Sequence, residues 1–177
     1  MDTPESNEER WSVLTKNDDA LLKEIQSILS NRALGDPYNS DGSFANGLAS
    51  LPVGLRAMAV THWLDISLTL DSITWHFGNF GERHLVALTE EGLEELGLHE
   101  LGACFREAKE LMKPLLEHRT ESDGDLYEIL ERNNLRERGE QINKRTWALD
   151  NLGRGKSLIY NAWIVYARKY PERVFNE

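Results

Sequence analysis

The chain has 177 residues, a single cysteine and a net charge of −10, which suits one domain that folds without a disulfide or a structural metal. Nine acidic residues stand against four basic ones in each of two ranges, 1–41 and 82–117. Direct binding to nucleic acid or to an anionic membrane surface needs a basic patch and is therefore disfavoured, whereas a basic protein would be attracted.

The N-terminal stretch 1–16 is polar and acidic, with Trp11, Val13 and Leu14 interspersed. We interpret it as an acidic tail that precedes a single helical domain at 17–177. Its first residues lack the basic and apolar regions of a secretory signal, so we expect a cytoplasmic protein.

The first helix is predicted from Asn17 or Asp18, either of which can cap it, to about Leu34. Its apolar residues fall on one face, and the following Gly35 is a typical stop signal. Residues 36–50 are rich in Gly, Asn, Asp and Ser, which indicates a loop.

The stretch 52–77 is apolar on nearly every side of a helix, and within it only Arg56, Asp65 and Asp71 carry formal charge. A helix of this kind is packed against from several directions, so we expect it at the centre of the fold with Trp63 as a core aromatic. Its charged side chains interrupt the apolar run that a membrane span requires.

A further helix is predicted at 84–97, ending at Gly97. Leucines occupy one side of it, and four carboxylates crowd the opposite arc. We call these four the acidic face: Glu90, Glu91, Glu94 and Glu95. Like charges three or four residues apart repel each other unless a cation lies opposite. On general grounds such a face is a solvated surface that aids solubility, and as a functional feature it would bind a basic partner.

Four more helices are predicted towards the C-terminus. They cover 98–113 up to Pro114, a short stretch with a capping box of Ser122 and Asp125, 136–152 and 157–170. No segment alternates polar and apolar residues as a strand does. The sequence therefore predicts an all-α single-domain bundle of about seven helices around a buried central helix at 52–77.

Five histidines are candidates for metal binding or acid–base chemistry, and none lies in a recognised motif. They are His62, His76, His84, His99 and His118. A pocket would form if the central segment bends near Asp71, and we call its four residues the predicted pocket: His62, Asp65, Asp71 and His76. The repeated Glu-x-x-His of helical metal sites is missing. Hydrogen-bonded core residues are therefore favoured over ligands, and we predict neither a metal nor a cofactor.

Several short motifs occur within residues 51–112 and 147–175. In chain order they are Leu51-Pro52, Trp63-Leu64-Asp65, His76-Phe77 with Asn79 and Gly81, Gly92-Leu93-Glu94-Glu95-Leu96-Gly97, Leu149-Asp150, Tyr166, Tyr170-Pro171-Glu172 and Phe175. With these motifs the chain resembles a family of bacterial helical proteins, largely of unknown function, that includes acidic DNA-mimic proteins.

The resemblance implies an all-helical fold, dimerisation, and surface carboxylates that stand in for DNA phosphates towards a basic DNA-binding protein. The chain departs from the family at 69–73. Where Asn-Asn-Gly-Gly-Phe usually follows the central helix, this chain has Thr-Leu-Asp-Ser-Ile, which indicates a divergent subfamily.

Two functions of different classes remain. The first is an acidic protein-binding module, whose acidic face occupies the basic nucleic-acid-binding surface of a regulator, nuclease or toxin. The second is a metal-dependent or acid/base enzyme that works through the predicted pocket. The lack of a catalytic motif favours the binding module.

Overall fold

The computed structural model describes residues 15–117, 125–150 and 157–176, and these residues form nine α-helices. The helices are α1 Asp18–Arg32, α2 Ser43–Gly47, α3 Val53–Leu70, α4 Ile73–Phe80, α5 Arg83–Glu95, α6 His99–Glu117, α7 Leu126–Arg132, α8 Arg136–Asp150 and α9 Leu158–Lys169. Short 3-10 helices follow at Leu48–Ser50 and Pro171–Arg173. No strand occurs in these ranges, and the prediction of an all-α fold is confirmed.

The centre of the bundle is α3, against which α1, α4, α5, α8 and α9 all pack. Leu55, Met58, Val60, Leu64 and Leu68 lie on different sides of its axis and are all buried. The position of the central helix is thus as predicted. Neither α3 nor any other described helix is long and apolar enough to cross a membrane.

The central helix is shorter than predicted, because the segment 52–77 is divided into α3 and α4. Asp71 leaves the helical conformation at φ −153° and ψ −93°, and the Ser72 hydroxyl accepts a hydrogen bond from Trp75 N at 3.1 Å. A serine in this position caps a new helix, whereas the apolar pattern continues through the break and does not reveal it. This break, together with α2 inside the predicted loop 36–50, raises the number of helices above the prediction.

Two helices approach each other closely where α5 crosses α3 at Gly92. A Cβ atom on Gly92 would lie 2.9 Å from Val60 Cγ2 and 3.2 Å from the backbone of Ala57. Carbon atoms do not pack that tightly in protein interiors, so any larger residue would push the two helices apart. The contact defines the buried side of α5 and leaves Glu91 and Glu94 exposed on the other.

The two core tryptophans differ in burial. Trp163 on α9 has no exposed surface, and its Nε1 donates a hydrogen bond to Thr61 Oγ1 at 3.0 Å. Trp63 is only partly buried, with its ring centroid 6.3 Å from that of Tyr38 and 5.5 Å from that of Phe80. The expectation that Trp63 is a core aromatic is therefore correct only in part, and Trp163 fills the deeper position.

The end of α5 follows the prediction. Gly97 has a φ of +72°, which glycine adopts without strain. Leu98 N donates to Leu93 O at 2.8 Å and Gly97 N donates to Glu94 O at 3.0 Å. Together these bonds make a Schellman motif, which ends the helix and leads directly into α6.

The end of α6 does not follow the prediction. The helix continues through Pro114 to Glu117, so the expectation that Pro114 halts it is wrong. A proline lacks the N–H that would bond to the carbonyl four residues earlier, which is that of Glu110. Glu110 is exposed, so water can reach this carbonyl, and the helix tolerates the loss.

Some predictions concern residues that the structure does not describe. The acidic tail falls almost entirely within 1–14, and His118 and Ser122 also lie outside the described ranges. Of the predicted capping box, Asp125 is described, and its Oδ1 accepts a hydrogen bond from Tyr127 N at 2.6 Å. Asp125 is thus the N-cap of α7.

Candidate functional site

The acidic face occupies the last two turns of α5, a helix held at both ends. At its start, the Glu82 carboxylate accepts hydrogen bonds from His84 N and Leu85 N, each at 2.8 Å. At its end is the Schellman motif at Gly97. Because α6 packs along one flank and the residues after α9 along the other, the four glutamates have different neighbours.

Two of the four glutamates are held by side chains from distant parts of the chain. Glu90 forms an ion pair with Lys109 Nζ, and Arg106 Nη1 lies 3.9 Å from its carboxylate. Glu95 lies 2.8 Å from Arg173 Nη1 and accepts a hydrogen bond from the Tyr166 hydroxyl. Both carboxylates are partly buried and largely neutralised.

The other two glutamates face the solvent. Glu94 lies beside the exposed ring of His99, whose Nδ1 is 3.2 Å from the carboxylate. Glu91 is exposed and has no ion-pair partner within the described residues. An approaching molecule therefore meets two accessible carboxylates one turn of helix apart.

An open groove of about 620 Å³ runs along the acidic face. Its walls are Ala87, the four glutamates, Arg106, Tyr166, Tyr170 and Arg173. The Arg173 guanidinium carbon lies 5.7 Å from the centroid of the Tyr170 ring, within the range of a cation–π contact. Arginines and tyrosines thus line the groove together with the glutamates, and Glu91 and Glu94 supply its accessible negative charge.

Of the predicted pocket, His62 and Asp65 lie together on α3 and share Tyr160 of α9. His62 Nδ1 is 3.0 Å from the Tyr160 hydroxyl, and the Asp65 carboxylate is hydrogen-bonded to Tyr160 and Ser157. Burial lowers the pKa of His62, so its ring is neutral at pH 7. Burial, with a smaller contribution from the charge of Asp150, raises the pKa of Asp65 to about 6.

His76 lies apart from them, buried among three phenylalanine rings. Its Nδ1 is 2.8 Å from Ser67 Oγ, which donates its own hydrogen to Trp63 O. We infer that His76 Nδ1 carries the proton and donates to Ser67. Burial lowers the pKa of His76 to about 3, so the ring is neutral under physiological conditions.

Asp71 lies at the corner between α3 and α4, with partners of its own. Its carboxylate accepts a hydrogen bond from the Tyr127 hydroxyl, and its carbonyl accepts one from Trp147 Nε1 at 2.9 Å. These bonds tie the corner to α7 and α8. Asp71 therefore has a structural role: it holds the corner between α3 and α4 in place.

The structure therefore brings together two residues of the predicted pocket, His62 and Asp65, and places Asp71 and His76 in other surroundings. No group of three His, Cys, Asp or Glu side chains in the described ranges is arranged to hold a metal ion. Sequence reasoning missed Asp150 and Tyr160, which complete the surroundings of Asp65. In the sequence only Asp150 stood out, as part of the motif Leu149-Asp150, and that motif does not indicate a contact with α3.

Comparison with known proteins agrees with the resemblance seen in the sequence. Residues 49–167 match the family described as DMP19-like protein. The matched range contains the whole of α3 and the complete acidic face. No match was found among curated proteins or among solved structures. Because the match covers more than half of the 177 residues, the chain belongs to the DMP19-like protein family.

Proposed function

We propose that this protein is a DNA mimic, an acidic module whose acidic face occupies the basic DNA-binding surface of a partner protein. Such a partner would be a transcriptional regulator, a nuclease or a toxin. Family membership supports the class of function. The observation that carries the location is the pair of accessible carboxylates, Glu91 and Glu94, at the edge of the groove.

The spacing of these charges suits a surface that normally binds DNA. Helix positions three or four apart place side chains about 5–6 Å apart. A single DNA strand presents one phosphate per roughly 3.4 Å of helix axis, and because the strand winds around that axis its neighbouring phosphates are farther apart than this rise. Glu91 and Glu94 can therefore approximate two neighbouring phosphates of one strand. The glutamates copy the negative charge of the phosphates and do not copy the edges of the bases.

The four glutamates have different roles in this proposal. Glu91 and Glu94 contact the partner's lysines and arginines, because their charges are accessible. Glu90 and Glu95 hold α6 and the C-terminal residues in place through Lys109 and Arg173. The exposed pair therefore supplies affinity, and the partly buried pair supplies the shape of the surface.

The first prediction concerns the double variant Glu91→Gln, Glu94→Gln. The immobilised protein should capture basic DNA-binding proteins from an extract of host cells, and duplex DNA should displace them because it competes for the same surface. We expect roughly tenfold weaker binding by the variant, since each accessible ion pair contributes up to about 1 kcal/mol. Its affinity should also depend less steeply on salt concentration.

The matched control is Glu128→Gln, Glu137→Gln, which removes the same net charge from exposed positions on α7 and α8. This variant should bind almost as the wild type does. If both variants bind a DNA-displaceable partner equally well, the acidic face is only a solvated surface. If duplex DNA displaces none of the captured proteins, mimicry itself is wrong.

A bacterial source, a cytoplasmic location and homodimerisation remain part of the proposal. They rest on the resemblance to the family. A cytoplasmic location would give the acidic face access to chromosomal DNA-binding proteins.

A further inference from the structure

Two buried carboxylates lie in the region where α3, α8 and α9 pack together. Asp65 on α3 is 5% exposed and Asp150 at the end of α8 is 2% exposed. Burial raises the pKa of each, and the charge of Asp150 adds to the effect on Asp65. A buried carboxylate is costly unless it is paired or hydrogen-bonded, and two adjacent ones resist ionising together.

The start of α9 supplies the hydrogen-bond donors for this pair. Leu158 N donates to Asp150 Oδ1 at 3.0 Å, and Ser157 and Tyr160 are hydrogen-bonded to Asp65. Each carboxylate nevertheless keeps a buried oxygen that has no partner in the described ranges, Oδ1 of Asp65 and Oδ2 of Asp150. A proton on either group would remove one of the two buried negative charges and turn one of these oxygens into a donor.

No positive charge from the described residues offsets the pair. His62 on α3 is neutral, because burial lowers its pKa. The Tyr160 hydroxyl on α9 stays protonated, because burial and the charge of Asp65 raise its pKa to about 12. Neither carboxylate forms an ion pair with a lysine or arginine of residues 15–117, 125–150 or 157–176, and within these ranges the hydrogen-bond donors at the start of α9 are the groups that offset their charge.

We propose that Asp65 and Asp150 are a pH-dependent latch on α9. With one proton on the pair, the two groups tie the start of α9 to α3 and α8. When that proton passes to the solvent, two buried negative charges repel each other, and the start of α9 loosens. The latch is a property of the fold and does not depend on the proposed function.

The direction of the effect follows from the pKa of Asp65, which is about 6 in the folded protein against 3.8 for an ordinary aspartate. The folded state therefore binds the proton more tightly than the unfolded state does. The resulting stabilisation is fully present below pH 3.8 and is lost as the pH rises through about 6.

The test compares the wild type with Asp65→Asn by denaturant unfolding at a series of pH values between about 4.5 and 7.5. The asparagine amide cannot ionise, and its NH₂ group adds hydrogen-bond donors at this buried position. We expect the unfolding midpoint of the variant, relative to that of the wild type, to rise as the pH increases towards about 6 and to level off above it. Asp36→Asn, the same change at an exposed position, should leave the pH dependence unaltered.

Hydrogen exchange locates the effect. In the wild type the amides of 158–161 should lose protection by about tenfold or more between pH 5 and 7.5, and in Asp65→Asn they should not. Carbon-13 NMR of the side-chain carboxyls follows the proton directly. The proposal is overturned if both carboxyls titrate near pH 4, if Asp65→Asn keeps the wild-type pH dependence, or if a stoichiometric metal ion is found between them.

Discussion

Glu91 and Glu95 are one turn apart on the same helix, yet their carboxylates have opposite environments. Glu95 is held by Arg173 at 2.8 Å and by the Tyr166 hydroxyl. Burial, followed by the hydrogen bond to Glu95, raises the pKa of Tyr166, so its hydroxyl remains a donor. Glu91 is open to the solvent. Counting carboxylates on a helix thus overstates the charge that a partner can reach.

Replacing Trp163 or Trp63 with alanine tests how deeply each residue is buried. Trp163→Ala should destabilise the protein by about 3–5 kcal/mol, because a large buried ring leaves a cavity and Thr61 loses its hydrogen-bond donor. Trp63→Ala should cost less, roughly 2 kcal/mol, because the ring is partly exposed. Denaturant unfolding measures both. Equal losses would mean that Trp63 is as deeply packed as Trp163.

Among the helices, α3 and α5 determine where the acidic face lies. Gly92 allows α5 to lie directly on Ala57 and Val60, which sets the rotation of α5 about its axis. The sequence predicted both helices and the end of α5 at Gly97, because apolar periodicity and glycine stop signals are local. It did not predict the break at Asp71, since the apolar pattern is unchanged there and only the cap at Ser72 marks a new helix.

Replacing a glycine tests this packing. Gly92→Ala should destabilise by about 1–3 kcal/mol, because the added methyl group would lie 2.9 Å from Val60 Cγ2. Gly102→Ala on α6 is the matched control. There the new methyl group would meet its nearest atoms at 3.6 and 3.8 Å, and alanine favours helix by up to about 1 kcal/mol. Thermal or denaturant unfolding should give shifts of opposite sign, and an unchanged or increased stability of Gly92→Ala would contradict the close α3–α5 contact.

For the whole molecule, the composition gives the net charge of −10. It does not show how that charge is distributed over the surface. Lys109, Tyr166 and Arg173 are remote in sequence from α5, so local spacing carries no sign that they neutralise Glu90 and Glu95. The same holds for Asp150, whose contact with Asp65 depends on how α8 and α9 pack on α3. Long-range packing therefore decides which charges remain accessible.

We expect the whole molecule to be a dimer. The family resemblance implies a dimer, so sedimentation equilibrium should give twice the 20.3 kDa mass of the chain. The mass should fall towards that of a single chain on dilution if the association is weak. A mass that stays at 20.3 kDa at every concentration would contradict dimerisation and leave the acidic face as a monomer's surface.

Arg173, which forms an ion pair with Glu95, is remote in sequence from α5, the helix that carries this glutamate. Arg173 belongs to the 3-10 helix Pro171–Arg173, beyond residue 167, where the match to the family ends. Tyr166 lies just inside that limit. A relative with the same helices but a different C-terminal stretch would leave this glutamate without its counterion and offer a third accessible negative charge. Partner preference can thus change through a substitution at position 173 alone, while the glutamates themselves stay unchanged.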